Sequence, residues 1–436
     1  MTLKKSTVIA FLFYISTIPL IVAVYLATSF GIPRIDTALA PVYTALFFGT
    51  LLIYKTPPAI RTSIALWLVM IGAAFLSLLF HPSVERFLDT CFFSFIGFMF
   101  YISYRYLVAV NFSINKVRKF LFILSAILYA GFFAELFLGV ELVKGNDELT
   151  VLEGAYKGLF FNSNDQAVVV TLLCAAISFF YIIKADNWKV RYLGYLLFLL
   201  GGVIVFISAS RAALAGYLAM LLLTVFTSAH TFTKFVYTLL TLPILPALVD
   251  IRLLIPIFRF LSQFPMLERS VSRFELAIFD LGMDKSVDYR TEIYTKFLDN
   301  FHVILLGYSP RNYAEYFKHD PLSAELGYTN PHSFFIEIYL AFGLFGFLGF
   351  IAFLLFSIQQ TYRSASYKFS EKTFYLFTVI LFCWLLWVPS SVLRLPIIWL
   401  PMFLIFLYSK KPNTPSPKYS VTWPFSKLIT VSIAGN

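Results

Sequence analysis

Apolar runs long enough to cross a bilayer recur along almost the whole chain, and no other feature constrains its fold as tightly. They lie at about 7–30, 37–54, 62–80, 87–104, 120–140, 166–183, 192–208, 212–228, 235–250, 333–357, 373–389 and 393–409. A helix of about 20 apolar residues spans the hydrocarbon core of a membrane. The expected fold class is therefore all-α: a polytopic integral membrane protein of about twelve transmembrane helices. Composition agrees, since 59% of the 436 residues are hydrophobic and 13% charged, with a mean hydropathy of +0.80. Soluble domains carry roughly 25% charged residues, so this chain lacks the polar groups to cover a globule. Cys91, Cys174 and Cys383 lie inside apolar runs without paired spacing, which predicts neither a disulfide nor a metal site. The first run follows Lys4 and Lys5 and reads as a membrane anchor, being long for a removable signal and followed by further spans.

The net charge of +11 does not call for nucleic acid, because Lys and Arg gather in cytoplasmic loops of membrane proteins. With the N-terminus inside, 19 of the 34 basic residues fall on the cytoplasmic side. The short outer loops hold only Arg34, Arg86, Lys144, Lys157, Arg211 and Arg394. The remaining nine lie in one long loop, 251–331, and long loops are largely exempt from the rule. The expected organisation is nine spans in 1–250, an external loop 251–331, three spans in 332–409 and a cytoplasmic tail 410–436 containing Pro415 and Pro417. Both termini are then cytoplasmic.

The long loop is predicted to be helical. Val271, Phe274, Ile278 and Leu281 follow helical spacing, as do Tyr289, Ile293, Phe297 and Phe301. Such amphipathic helices lie on the membrane or pack over the spans. Asp89, Glu135, Arg211, Asp250, Glu337 and Arg394 all lie near the outer ends of their spans. Ionisable groups within spans are costly and tend to be functional. Snorkelling to the interface is the competing explanation, and it suits the short Asp and Glu side chains least.

Three of these regions suit chemistry on an anionic substrate. Arg211 occupies a turn between two apolar helices, and its planar fork of donors matches diphosphate oxygens. Asp288-Tyr-Arg290 is predicted to open a helix, with Asp288 as its cap and Arg290 in the first turn. A cation there opposes the helix dipole unless an anion binds. His332, one of five histidines, stands where the long loop re-enters the membrane. An imidazole can take a proton from a hydroxyl near neutral pH. Glu337 lies about 140° around the helix from it, and Gly343, Gly346 and Gly349 are expected to let this span pack closely on a neighbour. The chain has no Walker loop, GxGxxG, HExxH or paired-aspartate motif.

Five stretches in order resemble the O-antigen ligase and polymerase superfamily of bacterial surface-polysaccharide enzymes. They are Gly158-Leu-Phe-Phe-Asn-Ser-Asn164, Ser210-Arg211-Ala-Ala-Leu, Tyr289-Arg290-Thr-Glu-Ile-Tyr, Leu306-Gly307-Tyr and Pro331-His332-Ser-Phe-Phe-Ile-Glu-Ile-Tyr-Leu-Ala-Phe-Gly343-Leu-Phe-Gly346. Each is short, and their order and the long loop before the histidine carry the specificity. The resemblance implies a glycosyltransferase of the bacterial inner membrane acting on its outer face, independent of metal, cofactor and nucleotide sugar. Its donor would be a glycan on undecaprenyl diphosphate. Arg211 and Arg290 match arginines thought to hold the diphosphate, and His332 a histidine thought to orient or deprotonate the acceptor hydroxyl. Asn162, Asn164, Glu337 and Arg394 are the expected substrate-binding residues. The family often has Asn after the histidine; here it is Ser333.

Polymerisation of repeat units is the favoured activity, with ligation of a finished chain to lipid A–core as the alternative. A chain-length regulator and a flippase are the expected protein partners. A transporter would show repeats and mid-membrane polar groups, whereas the charges here lie at one face. A non-enzymatic scaffold would not need Arg and His at one interface.

Overall fold

A computed structural model describes residues 5–30, 39–53, 56–80, 82–143, 156–160, 162–228, 252, 255–279, 285–299, 301, 303–308, 333–387 and 395–412. The expected span at 235–250 and the tail after 412 lie outside the described residues. In chain order the helices are α1 (Lys5–Phe30), α2 (Ala40–Ile53), α3 (Pro58–Phe80), α4 (Val84–Ala109), α5 (Ile114–Leu138) and α6 (Ser163–Ile177). They continue as α7 (Trp188–Ile207), α8 (Arg211–Thr227), α9 (Ile255–Leu261), α10 (Pro265–Phe279), α11 (Lys285–Asp299), α12 (Phe334–Tyr362), α13 (Phe369–Trp387) and α14 (Trp399–Tyr408). No strand occurs among the described residues. Eight helices there are long and apolar enough to cross a membrane, and shorter apolar helices cover 40–49, 211–227 and 396–408. The protein is a multi-pass membrane protein, helical throughout its described secondary structure.

Several buried hydroxyls in these apolar helices make their hydrogen bonds within their own helix. Ser94, Ser103, Ser125, Thr224 and Thr378 are buried, and each hydroxyl donates to the carbonyl four residues back. Hydrocarbon offers no other partner, so the helix supplies its own. Helix ends are equally local. Asn187 Oδ1 accepts from Val190 N at the start of α7, and Gly139 ends α5 in the left-handed conformation, φ 65°.

Most connections between consecutive helices are short, so helix ends gather into two layers. One layer is basic. There Arg118, 4% exposed, donates to Asn115, Asp186 and the carbonyls of Phe180 and Lys184. A single π-helical turn, Ser178–Ile183, prolongs α6 and contains the Phe180 carbonyl that accepts from the Arg118 Nε–H. Asp186, outside the spans, is held below the usual carboxylate range by its own backbone N–H and by the Arg118 guanidinium. Lys184 pairs with Glu371 at 2.7 Å, and Lys410 donates to the Gln360 carbonyl at 2.7 Å. The opposite layer holds Glu135, Arg211 and the start of α12.

Two sequence expectations are corrected here. The span expected as one helix at 333–357 is broken within α12 at Gly343, whose φ of 68° and ψ of −173° are essentially closed to other residues. α11 begins at Lys285, earlier than expected. Asp288 therefore lies inside its first turn rather than capping it, and Arg290 lies in the second, because an acidic side chain is tolerated in a first turn and the helix need not wait for it.

Candidate functional site

Arg211 is the first residue of α8. The turn before it, Ser208–Ser210, holds Ala209 at φ 56° and reverses the chain between α7 and α8. Arg211 is half-buried. A cation at a helix N-terminus faces the positive end of the dipole, an arrangement suited to a bound anion. Thr171 Oγ1 donates to the Ala213 carbonyl at 3.3 Å, joining α6 to this end of α8.

α6 runs beside α8, its own start lying about two turns beyond Thr171. Asn162 caps the helix: its Oδ1 accepts from Asp165 N at 2.8 Å and its Nδ2 donates to Asp165 Oδ2 at 3.0 Å. The predicted substrate residue Asn162 is thus engaged in a local cap. Asn164 lies seven residues, two helical turns, before Thr171, and so on the face that meets α8. The turn preceding Asn162 is fastened by Glu135, whose Oε2 accepts from Lys157 N at 2.8 Å and Gly158 N at 2.5 Å. Lys157 in turn pairs with Glu141 at 2.6 Å. Glu135, read from sequence as one of a ring of outer charges, anchors a loop.

His332 lies outside the described residues, as does Arg394. The residue after His332 is described: Ser333 is 1% exposed, and its hydroxyl has no hydrogen-bond partner among the described residues. Glu337 follows in the first turn of α12, fully buried, where a carboxylate complements the helix dipole. Phe334 lies 5.9 Å from Trp399 and 6.5 Å from Phe382 between ring centroids. Trp399 also meets Trp67 at 5.1 Å and Phe350 at 5.8 Å. These rings form an aromatic floor beneath the start of α12.

The other face of α13 reaches the start of α8. Trp384, two residues from Phe382, donates its indole N–H to the Ala212 carbonyl at 3.3 Å. The chain thereby brings the start of α8 and the start of α12 to one end of the bundle, with α13 between them. The long loop packs on that end too. In α10, Ser270 Oγ donates to the Ile207 carbonyl at 3.0 Å, and Phe274 stacks on Phe206 at 5.3 Å. Its amphipathic face covers the α7–α8 hairpin, as the spacing of Val271, Phe274 and Ile278 predicts; Leu281 lies outside the described residues.

Arg290 is placed by the backbone of α11, and its side chain lies outside the description. Three residues on, Ile293 is buried, as is Phe297, which meets Tyr339 of α12 at 6.1 Å. The helix of Arg290 therefore leans on the helix that starts after His332. Sequence reasoning missed Tyr339 and the loop 301–308, which make this junction. Gly307 and Gly343 were visible in motif-like stretches, but their pairing across the chain was not. Asp89, Asp250 and Arg394, three further members of the predicted ring, have no described side chains.

No curated protein matches the chain in sequence. Residues 196–351 match the family model described as O-antigen ligase. That stretch encloses Arg211, Arg290, the packed loop helices, residue 332 and the break in α12 at Gly343, and over it the chain is similar to the O-antigen ligase family.

Proposed function

We propose that this protein is a membrane glycosyltransferase that moves a glycan en bloc from undecaprenyl diphosphate to a sugar hydroxyl of an acceptor, without metal or nucleotide sugar. One observation carries the reading: the family match encloses Arg211 and residue 332, and the helices starting at 211 and after 332 open at the same end. Arg211 and Arg290 hold the diphosphate. The acceptor hydroxyl attacks the anomeric carbon as His332 takes its proton. The bond from that carbon to the diphosphate oxygen breaks, and the electron pair leaves on the diphosphate, where the guanidinium groups stabilise it. Asn162, Asn164, Glu337 and Arg394 contact the glycan.

The favoured reaction is polymerisation of O-antigen, capsule or exopolysaccharide repeat units on the outer face of a bacterial inner membrane, with a chain-length regulator and a flippase as partners. The alternative is ligation of a finished chain to lipid A–core, which shares the donor and the chemistry, and the family match is compatible with both. Purified protein in vesicles with an undecaprenyl-diphosphate repeat unit, with metal chelated and no nucleotide present, separates the two. A ladder of longer lipid-linked products supports polymerisation. Product that forms only when lipid A–core is added supports ligation. Glycan crossing the membrane with its diphosphate bond intact would refute the transferase reading in favour of transport.

A further inference from the structure

The break in α12 is filled by another part of the chain. The segment Val303–Tyr308 runs past Gly343 and makes hydrogen bonds that the broken helix cannot. Leu344 N donates to the Ile304 carbonyl at 2.7 Å, and Tyr308 N donates to the Leu340 carbonyl at 2.7 Å. Phe345 N reaches the Leu305 carbonyl at 3.5 Å, and Ser77 Oγ at the end of α3 donates to the Gly307 carbonyl at 3.1 Å. An unsatisfied backbone group costs several kcal/mol in hydrocarbon, so break and segment stabilise each other. The fit needs two glycines facing across it. A Cβ on Gly307 would come within 2.5 Å of the Ala341 carbonyl oxygen, and one on Gly343 would overlap the Leu305 carbonyl. Both residues have positive φ.

The segment is also continuous with the helix of Arg290. Phe297, in the last turns of α11, and Phe301, just beyond it, pack on Tyr339, Phe301 stacked at 5.4 Å. The Tyr339 hydroxyl accepts from Ile304 N at 3.0 Å. Tyr339 thus holds the end of α11 and the start of the strap, and it sits on the short half of α12, Phe334–Phe342, that begins right after His332.

We propose that Tyr339, Gly307 and Gly343 are positioning residues: they lock the helix of Arg290 to the half-helix following His332, and so set the relative placement of diphosphate and acceptor groups. This rests on the roles given above to Arg290 and His332. None of the three touches substrate. Their loss is expected in turnover rather than donor affinity, because a misplacement of about 1 Å can cost on the order of 100-fold in rate.

The test pairs a distance with a rate on the full-length chain, its three cysteines replaced by Ala and nitroxides placed at Glu292→Cys and Ile336→Cys. The unsubstituted strap is expected to give one narrow distance distribution. Gly343→Ala should broaden it and lower kcat by about 100-fold with little change in donor KM. Tyr339→Phe keeps the ring and removes one hydrogen bond; it should lower kcat on the order of tenfold and decides the matter if Gly343→Ala fails to accumulate. Gly72→Ala, in α3 with nothing near its Cβ position, should change neither readout. An unchanged distribution, or a broadened one with unchanged turnover, overturns the proposal. Absence of any transfer by the parent chain would count against the proposed function instead, and the distance alone would then judge the lock.

Discussion

At the scale of single residues, the proposed chemistry rests on groups whose replacement can keep charge while losing geometry. Lys in place of Arg keeps the cation but loses the fork that grips two oxygens at once. Arg211→Lys and Arg290→Lys are each expected to cut polysaccharide output by about 100- to 1000-fold, the usual cost of removing one charge-stabilising donor, while the protein still accumulates. Near-normal output from both Lys variants would remove the diphosphate assignment. His332→Ala is expected to abolish transfer at unchanged protein level, a general base being worth about 100- to 10,000-fold. Lipid-linked donor should then build up in cells. His302→Ala and His319→Ala, in the same loop, should have much smaller effects. A loss of protein in proportion to activity would make His332 an anchor of the helix end instead. Glu135 shows why residue type alone misleads: a carboxylate near the end of a span read as part of a charged ring, yet its oxygen is committed to the amides of Lys157 and Gly158.

At the scale of elements, the site depends on how helices start and how closely they approach. Asn162→Ala removes the cap of α6 and should lower stability by about 1 kcal/mol, seen as a drop in Tm, without abolishing insertion. An unchanged Tm would mean that the Asn162–Asp165 pair contributes nothing to the helix start. Gly349 does what the sequence predicts: a Cβ there would sit 3.2 Å from the backbone of Leu66 and Met70, so α12 and α3 meet nearly backbone to backbone. Gly349→Val should push them apart at a cost of about 1–3 kcal/mol, and equal thermal stability of the variant would show that the contact is not close in the membrane. Gly343, grouped with Gly349 by spacing alone, answers to a different demand, since its φ of 68° breaks the helix.

At the scale of the whole molecule, one layer of helix ends is basic and the other carries the candidate site, which predicts the orientation. Cysteine at position 286, in α11, should be labelled by a membrane-impermeant reagent from outside, and cysteine at position 416 should not. Ser286→Cys and Ser416→Cys test this in intact cells, and the reverse pattern would move the site to the cytoplasmic face. The 19-to-6 division of basic residues between the short segments of the two sides motivates the expectation.

What the sequence determined by itself was local and periodic. Apolar length announces a membrane helix because hydrocarbon admits little else, and eleven of the twelve expected runs coincide with helices, the twelfth lying outside the described residues. The amphipathic helix over 265–279 was legible for the same reason, its buried Val271 and Phe274 recurring at helical spacing. Arg211 could be singled out because a cation at that place works against both topology and dipole. What only the tertiary structure decided depends on residues far apart in the chain. Gly307 and Gly343 are 36 positions apart and interlock only because a loop returns to a helix. Tyr339 reads as one more aromatic in an apolar run until its hydroxyl meets Ile304 N. Trp384 and Ala212 are 172 positions apart in the sequence, and their hydrogen bond joins the start of α8 to α13. Short-range spacing encodes which segments are helical and which faces are apolar, whereas backbone groups left unpaired by a broken helix can be completed only by whatever segment folding brings against them.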